Sequence, residues 1–471
     1  MTRADCAVPP GAVWTIVGAG ALGLVATYWD DGWHTEIGRD SALIPPHLLL
    51  YVSVGLVGVV LAVWLLTTLW RTRSVRSVFA TPGLALAVAA GVVTAGAAPA
   101  DAAWHAAFGR DSVLWSPPHL LSVIGTAVLV VAVLLGAAAS RPARTALAVL
   151  LLGAAEVVVL EYETDVPQFT EALYLPVLLA VALGVARVVR TLVADSVVVA
   201  WTVLGYLVFR LGIFVGFMIG GWVTPDVPIA LLGLLLLEAP AKWGRARWPL
   251  AGLAIVVLQV VASATGISAV ATGPTLVAAA IVAPVLAVVL IAVMNGRLVS
   301  GAVVLALFLA ASWPAPPARA HDPGQGEELA TARFTVSGDG AGGVSVRVDD
   351  VNDAQGREWA PGALVARRAG RVVVAPLAGR SAFDGAIDLP SSGLWFVYAE
   401  LRAGGTTAEV WLPVRQNESG TFTARRSVYL PAGAGGRSLG EFLAGTALLV
   451  VGAGLTGWAG AAVRRRRSPG R

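Results

Sequence analysis

"HLLLYVSVGLVGVVLAVWLLTTLWRTR" occupies His47 to Arg73. From Leu48 to Trp70 it contains no Asp, Glu, Lys or Arg, and it closes on a cluster of arginines. A helix needs ~20 apolar residues to cross the hydrocarbon core of a bilayer. This stretch meets that length, and it sets the reading of the rest of the chain. Apolar runs of similar character lie near residues 11–29, 46–70, 79–99, 118–139, 146–162, 171–189, 196–222, 227–239, 248–264, 274–293, 298–314 and 439–462. The eighth is short enough to be re-entrant or tilted. The expectation is an all-α polytopic membrane bundle of about twelve transmembrane helices.

Composition agrees. Of 471 residues, 57% are hydrophobic and 13% are charged, and the mean hydropathy is +0.76. Soluble domains carry roughly 25% charged residues. The single cysteine, Cys6, excludes an internal disulfide framework and a cysteine-based zinc site. The net charge of +4 is spread over short loops, which is a topology signal and not a nucleic-acid footprint. Arg71, Arg73 and Arg76 follow the second span, Arg141 and Arg144 the fourth, and Arg187 and Arg190 the sixth. Lys242, Arg245 and Arg247 follow the eighth, Arg297 the tenth, and Arg464 to Arg467 close the chain. Each cluster follows an even-numbered span, so one side of the membrane collects the positive charge. By the positive-inside rule that side is cytoplasmic. The expected placement is therefore a multi-pass cell-membrane protein with a cytoplasmic C-terminus.

Residues 321–438 lose the apolar runs and gain short alternating stretches such as "GVSVRVDD", "LWFVYAEL" and "AEVWLPV", punctuated by Gly, Pro, Asn and Asp. That pattern predicts a small all-β sandwich, inserted before the last helix and outside the cytoplasm. The expected organisation is 1–190 with the motifs described next, 191–320 with additional helices, 321–438 as the β-domain, and 439–471 as an anchor with a basic tail. "MNGRLVSGAVVLALFLAASWPAPPARAH", Met294 to His321, has a basic start, an apolar core and Ala318-Arg319-Ala320, the layout of a secretory signal. It reads as an uncleaved span or as a junction between a membrane part and a secreted part.

Four of the five histidines fall in a duplicated polar motif. The first copy places Asp30 four residues before His34, with Trp33 just before it, then Arg39-Asp40-Ser41, and Pro45-Pro46-His47. The second places Asp101 four before His105, with Trp104 just before it, then Arg110-Asp111-Ser112, and Pro117-Pro118-His119. Residues four apart share one helix face, so each Asp–His pair can offer two ligands together. A straight helix would carry His47 about 20 Å from His34 at 1.5 Å per residue. The Gly-Arg-Asp-Ser turn and the proline pair break that helix, and His47 and His119 then open the following spans and point back. Two imidazoles and a carboxylate suit copper, zinc or non-haem iron. Arg39, Asp40, Arg110 and Asp111 are placed to orient such ligands. A lone interfacial histidine is more simply a headgroup-level hydrogen bonder. Two copies with the same Asp–His and His–Arg-Asp-Ser offsets, and second histidines thirteen and fourteen residues on, favour a metal site.

Asp-x-x-Trp-His, then Arg-Asp-Ser, then Pro-His resembles the copper membrane monooxygenases, the particulate methane and ammonia monooxygenase family. Within that family the likeness is to the membrane component that carries two such clusters on successive helix pairs. The resemblance covers roughly residues 10–190 and is specific within the motifs. It implies copper at Asp30, His34 and His47 and again at Asp101, His105 and His119. It also implies oxygen activation, hydroxylation of a small apolar substrate, and partner subunits or a homo-oligomer in the lipid bilayer. The chain departs from the family at Asp101, where an asparagine is usual. His321 is comparable with the copper-binding first residue of that family's secreted cupredoxin-type component. Residues 322–471 contain no further His, Cys or Met to complete such a site. Copper storage, sensing or delivery without turnover, and a metal-free scaffold, remain as alternatives.

Within the spans, Glu156 and Arg210 are charged and are expected to pair with each other. Glu161, Glu163 and Asp165 lie at the motif side, as a carboxylate entry for cations or as a solvated loop.

Overall fold

A computed structural model describes residues 7–36, 43–108, 114–137, 139–166, 170–295, 325–368, 371–431 and 439–467. The helices are α1 (Pro10–Glu36), α2 (Pro45–Thr72), α3 (Val75–Ala80), α4 (Pro82–Phe108), α5 (Pro117–Gly136), α6 (Arg141–Glu156), α7 (Leu160–Glu163), α8 (Tyr174–Leu192), α9 (Val198–Gly220), α10 (Arg247–Thr265), α11 (Thr272–Met294) and α12 (Leu439–Arg467). Among the described residues nine helical segments are long and apolar enough to cross a membrane, the mark of a multi-pass membrane protein. The short eighth run is a ten-residue 3-10 helix, Ile229–Glu238, whose side chains pack against α9 and α10. The run at 298–314 lies outside the described residues.

Two helical hairpins dominate the first part of the bundle, α1 with α2 and α4 with α5. Their contacts depend on missing side chains. A Cβ on Gly23 would meet Ser53 Oγ at 2.6 Å, and Ser53 donates to the Ala19 carbonyl at 2.6 Å. A Cβ on Gly125 would meet Thr94 Oγ1 at 2.6 Å. Small residues that let backbones approach are the usual means of association in lipid, where apolar burial gives no drive. The two contacts are in equivalent register. In each hairpin the contact lies seven residues before the motif aspartate and six after the second histidine. Only the order is swapped, with glycine on the first helix of one hairpin and on the second helix of the other.

The β-domain corrects the sequence reading. Its eight antiparallel strands form a closed barrel in the order β1-β2-β5-β4-β3-β6-β7-β8, not a sandwich. They are β1 (Gln325–Asp339), β2 (Gly343–Asn352), β3 (Ala360–Arg368), β4 (Arg371–Gly379), β5 (Phe383–Asp388), β6 (Leu394–Ala403), β7 (Thr406–Arg415) and β8 (Ser419–Pro431). β1 is 15 residues long and pairs along both sides, Phe334 opposite Val348 on β2 and opposite Ala424 on β8. That first-to-last pairing removes both free edges. Alternation within each strand is the same for either architecture, so the sequence pattern could not separate them. The interior holds Phe334, Val346, Trp395, Val397, Val410 and Leu412.

β6 is buried on both faces, which explains its unbroken apolar run. Trp395 and Val397 point inward, while Leu394, Phe396 and Tyr398 join Trp411 and Val166 in a second apolar cluster against the bundle. Beside it Arg368 donates to Asp165 Oδ1 at 2.7 Å and to Glu171 Oε1 at 3.0 Å, all three side chains being buried. The Leu394 amide donates to Asp165 Oδ2 at 2.7 Å, and Arg415 reaches the same oxygen at 3.1 Å. Arg426 on β8 donates to the Glu36 carbonyl at the end of α1. The barrel therefore sits at the end of the bundle where α1 stops. At the opposite end, Arg466 of α12 donates to the Leu135 carbonyl at 2.8 Å near the end of α5.

Removing one partner of a buried ion cluster leaves the others uncompensated, at about 3–5 kcal/mol. Arg368→Met is therefore expected to loosen the barrel from the bundle by that amount. Hydrogen exchange read by mass spectrometry should show a marked loss of protection at Leu394, with β2 and β5 unchanged. Unaltered protection at Leu394 would mean that the apolar cluster and the remaining polar contacts hold the barrel without Arg368.

Candidate metal centre

The helix start predicted from the proline pair occurs, with α2 beginning at Pro45, while the Gly-Arg-Asp-Ser stretch after α1 lies outside the described residues. Ile44 caps α2 with φ −68° and ψ 151°, and Ser116 caps α5 with φ −65° and ψ 148°. Extended residues before proline are what the proline ring enforces. Each proline pair thus occupies the first two helical positions, where no amide hydrogen is needed, and sets the following histidine in the first turn.

In the first hairpin this geometry gathers the set. Asp30 Oδ1 lies 3.1 Å from His47 Nε2 and 3.5 Å from His34 Nε2. One ligand atom from each of Asp30, His34 and His47 falls within 4.8 Å of the other two. The His34 and His47 rings are 5.9 Å apart, and Tyr51, one turn further along α2, lies 6.0 Å from His47. Protein–metal bonds of about 2.0–2.2 Å at tetrahedral angles separate ligand atoms by about 3.3 Å, which both Asp–His gaps approach. The side chains retain 24% (Asp30), 11% (His34) and 17% (His47) of their exposure, so the set is half-buried and not sealed. His34 Nδ1 is buried without a hydrogen-bond partner, so the second ring nitrogen has no described acceptor.

In the second hairpin Asp101 Oδ1 lies 3.1 Å from His119 Nε2. His105 is on α4 one turn beyond Asp101, and its side chain lies outside the described set. His119 is within electrostatic range of Asp30, which sets the two hairpins' polar ends side by side. Arg39, Asp40, Arg110, Asp111 and His321 all lie outside the described residues.

An aromatic wall that sequence spacing does not disclose flanks the first motif. Trp33 stacks on Trp222 at 5.6 Å, and Trp29 meets both edge-on at 6.4 and 5.9 Å. Trp29 and Trp33 are four apart and share a face, a legible signal. Trp222, far along the chain after α9, gave none.

The remaining charged residues are arranged differently from the sequence reading. Arg210 pairs with Glu163 at 2.6 Å, not with Glu156. The same guanidinium donates to Tyr28 at 2.6 Å and Tyr206 at 3.1 Å and to the Asp226 carbonyl. Glu161, Glu163 and Asp165 are all buried, so the acidic turn is not a solvated loop. Glu161 accepts from the Leu114 amide at 2.7 Å, Glu163 holds Arg210, and Asp165 holds the barrel.

No family model, curated protein or solved structure matches the chain. The centre is therefore defined by its own geometry.

Asp226, in the extended segment between α9 and the 3-10 helix, accepts from the Ala269 amide, and burial pushes its carboxyl up to about 7. A group that binds its proton more tightly folded than unfolded loses stability as pH rises from its ordinary value near 4 to about 7. The full-length protein should therefore melt at progressively lower temperature across that window. Asp226→Asn, which keeps the oxygen facing Ala269, should flatten the slope. An equal slope in both proteins would show that Asp226 is ionised in the fold throughout.

Proposed function

We propose that the chain is a copper-binding membrane protein related to the two-cluster membrane component of the methane and ammonia monooxygenases. It acts within an oxygen-activating complex that hydroxylates a small apolar substrate. The observation that carries the reading is the first ligand set, with Asp30, His34 and His47 offering ligand atoms within 4.8 Å of one another from two packed helices. Two neutral imidazoles and one carboxylate fit copper, with zinc or non-haem iron as the other metals of that preference. Asp101, His105 and His119 make the second site. Bound copper would supply one-electron and oxygen chemistry.

The protein's own groups define what surrounds that chemistry. Asp30 offsets the charge of the ion and, through both Asp–His contacts, holds the two rings toward one point. Three protein ligands leave a position open, as sites that react require. The Trp29, Trp33 and Trp222 wall gives an apolar flank suited to an apolar substrate. The basic clusters at the far end support a cytoplasmic C-terminus, with both motifs and the barrel on the extracytoplasmic side. The partners in this reading are the lipid bilayer and either other proteins of such a complex or further copies of the chain. Nucleic acid is not among them.

Natively purified protein is expected to retain copper by elemental analysis. His34→Ala and His47→Ala should each weaken binding at the first site by more than about tenfold, the effect that losing even an outer-shell partner produces. His119→Ala should leave that site filled. Oxygen- and reductant-dependent oxidation of a short alkane or ammonia should disappear with the first two variants. Copper that binds without turnover would reassign the protein to copper storage, sensing or delivery. Less than about a tenth of an equivalent of any transition metal, measured at neutral pH where ligands are free to bind, ends the metal reading in favour of a scaffold.

A further inference from the structure

Glu156 is the one described carboxyl group with no exposure and with neither oxygen hydrogen-bonded. It ends α6, where the span Arg141–Glu163 passes through a 3-10 turn into α7. At 1.5 Å per residue it lies about 22 Å along that span from Arg141, well inside the bundle. Glu163 and Arg210 are close enough to act on it electrostatically.

Charge count decides what such a group can be. Glu156, Glu163 and the partly buried Asp226 surround one cation, Arg210. The guanidinium is already committed to Glu163 Oε2 at 2.6 Å, to Tyr28 and Tyr206, and to the Asp226 carbonyl. Glu163 is further satisfied by Tyr174, which donates to its Oε1 at 3.2 Å. Nothing described is left to neutralise Glu156. A carboxylate without counter-charge is far costlier to bury than a neutral carboxyl, so the group binds a proton or another cation instead. The groups acting on it are Tyr174 from α8, Tyr206 and Arg210 from α9, and Glu163 from α7. All but Arg210 and Glu163 are phenols, which provide hydroxyls and no positive charge.

We propose that Glu156 is a proton-binding site inside the bundle, with Arg210 as the element that senses its charge. When the proton is held, Arg210 is free to pair with Glu163 as seen. When the proton leaves to water, the new carboxylate competes with Glu163 for the single guanidinium. Arg210 Nε, buried without a partner, is the donor available for that exchange. Because Arg210 also holds Tyr28 and the Asp226 carbonyl, proton release is transmitted to α1 and to the segment after α9. The site needs no metal and is independent of the copper reading.

The test is infrared difference spectroscopy on the purified full-length chain, in ordinary and heavy water. A protonated-carboxyl stretch at neutral pH, shifted by deuteration, is expected in the wild type. To remove the contribution of Asp226, the comparison is made in an Asp226→Asn background: the band should be retained there, absent once Glu156→Gln is added, and displaced once Glu156→Asp is added, with folding checked by circular dichroism. Glu156→Gln mimics the neutral acid and is expected to fold. If it does not, displacement of the band in Glu156→Asp carries the assignment. The proposal is overturned if the Asp226→Asn protein shows no such band, if the band survives when folded Glu156→Gln is added to it, or if sodium abolishes it, which would make the occupant a metal cation.

Discussion

The molecule is organised around a buried acidic turn. Glu161, Glu163, Asp165 and Glu171 are buried together between α6 and α8. Carboxylates in such a place must be matched by donors or they unfold the region. The matching groups come from everywhere else: the Leu114 amide before α5, Arg210 from α9, Arg368 and the Leu394 amide from the barrel, and the Ala271 amide beside α11. Asp165 itself adopts φ 65°, a conformation unusual for a residue with a side chain. Its two oxygens are then shared among Arg368, Arg415 and Leu394. The turn is thus where the membrane bundle and the barrel acquire a fixed relation, and the apolar contact of Val166 with Phe396 and Tyr398 completes it.

The ligand set depends on a different constraint, the closeness of two helices. Ser53 can reach the Ala19 carbonyl only because Gly23 has no side chain. That contact, two turns from the motif, brings the start of α2 level with the end of α1. Substituting a larger residue at Gly23 would therefore act on His47 from a distance. The parallel arrangement of Thr94 and Gly125 in the second hairpin shows that the duplication extends into the packing, beyond the polar residues that first disclose it.

Much of this was legible in the chain. Spans were readable because a bilayer demands long apolar helices, and the ends of α2, α5 and α9 fall within a few residues of the apolar runs. The Asp30, His34 and His47 grouping was readable because the proline pairs announce a helix start. Barrel closure was not, since pairing Phe334 with Ala424 joins residues far apart and leaves no local mark. Nor was the partner of Arg210. Glu156 looked suitable because both lay within apolar runs, yet the turn after α6 carries Glu163 to the guanidinium instead. Charge position along a span gives depth, but not the direction in which a side chain leaves its helix.

That direction also governs how the two polar regions relate. Asp30 and Tyr28 are neighbours on α1, yet two residues turn a helix through about 200°, so they leave on opposing faces. Tyr28 enters the Arg210 network and is fully buried, whereas Asp30 turns toward α2 and keeps part of its exposure. Trp29 and Trp33 occupy the intervening face and stack against Trp222, which ties the segment after α9 to the same turn of helix. Arg210 therefore meets α1 at Tyr28, on the face away from Asp30. Trp222 packs on the Trp29 and Trp33 side, and the Gly23–Ser53 contact lies two turns back along the same helix, so both polar regions hang on one helix whose packing neighbours differ from face to face.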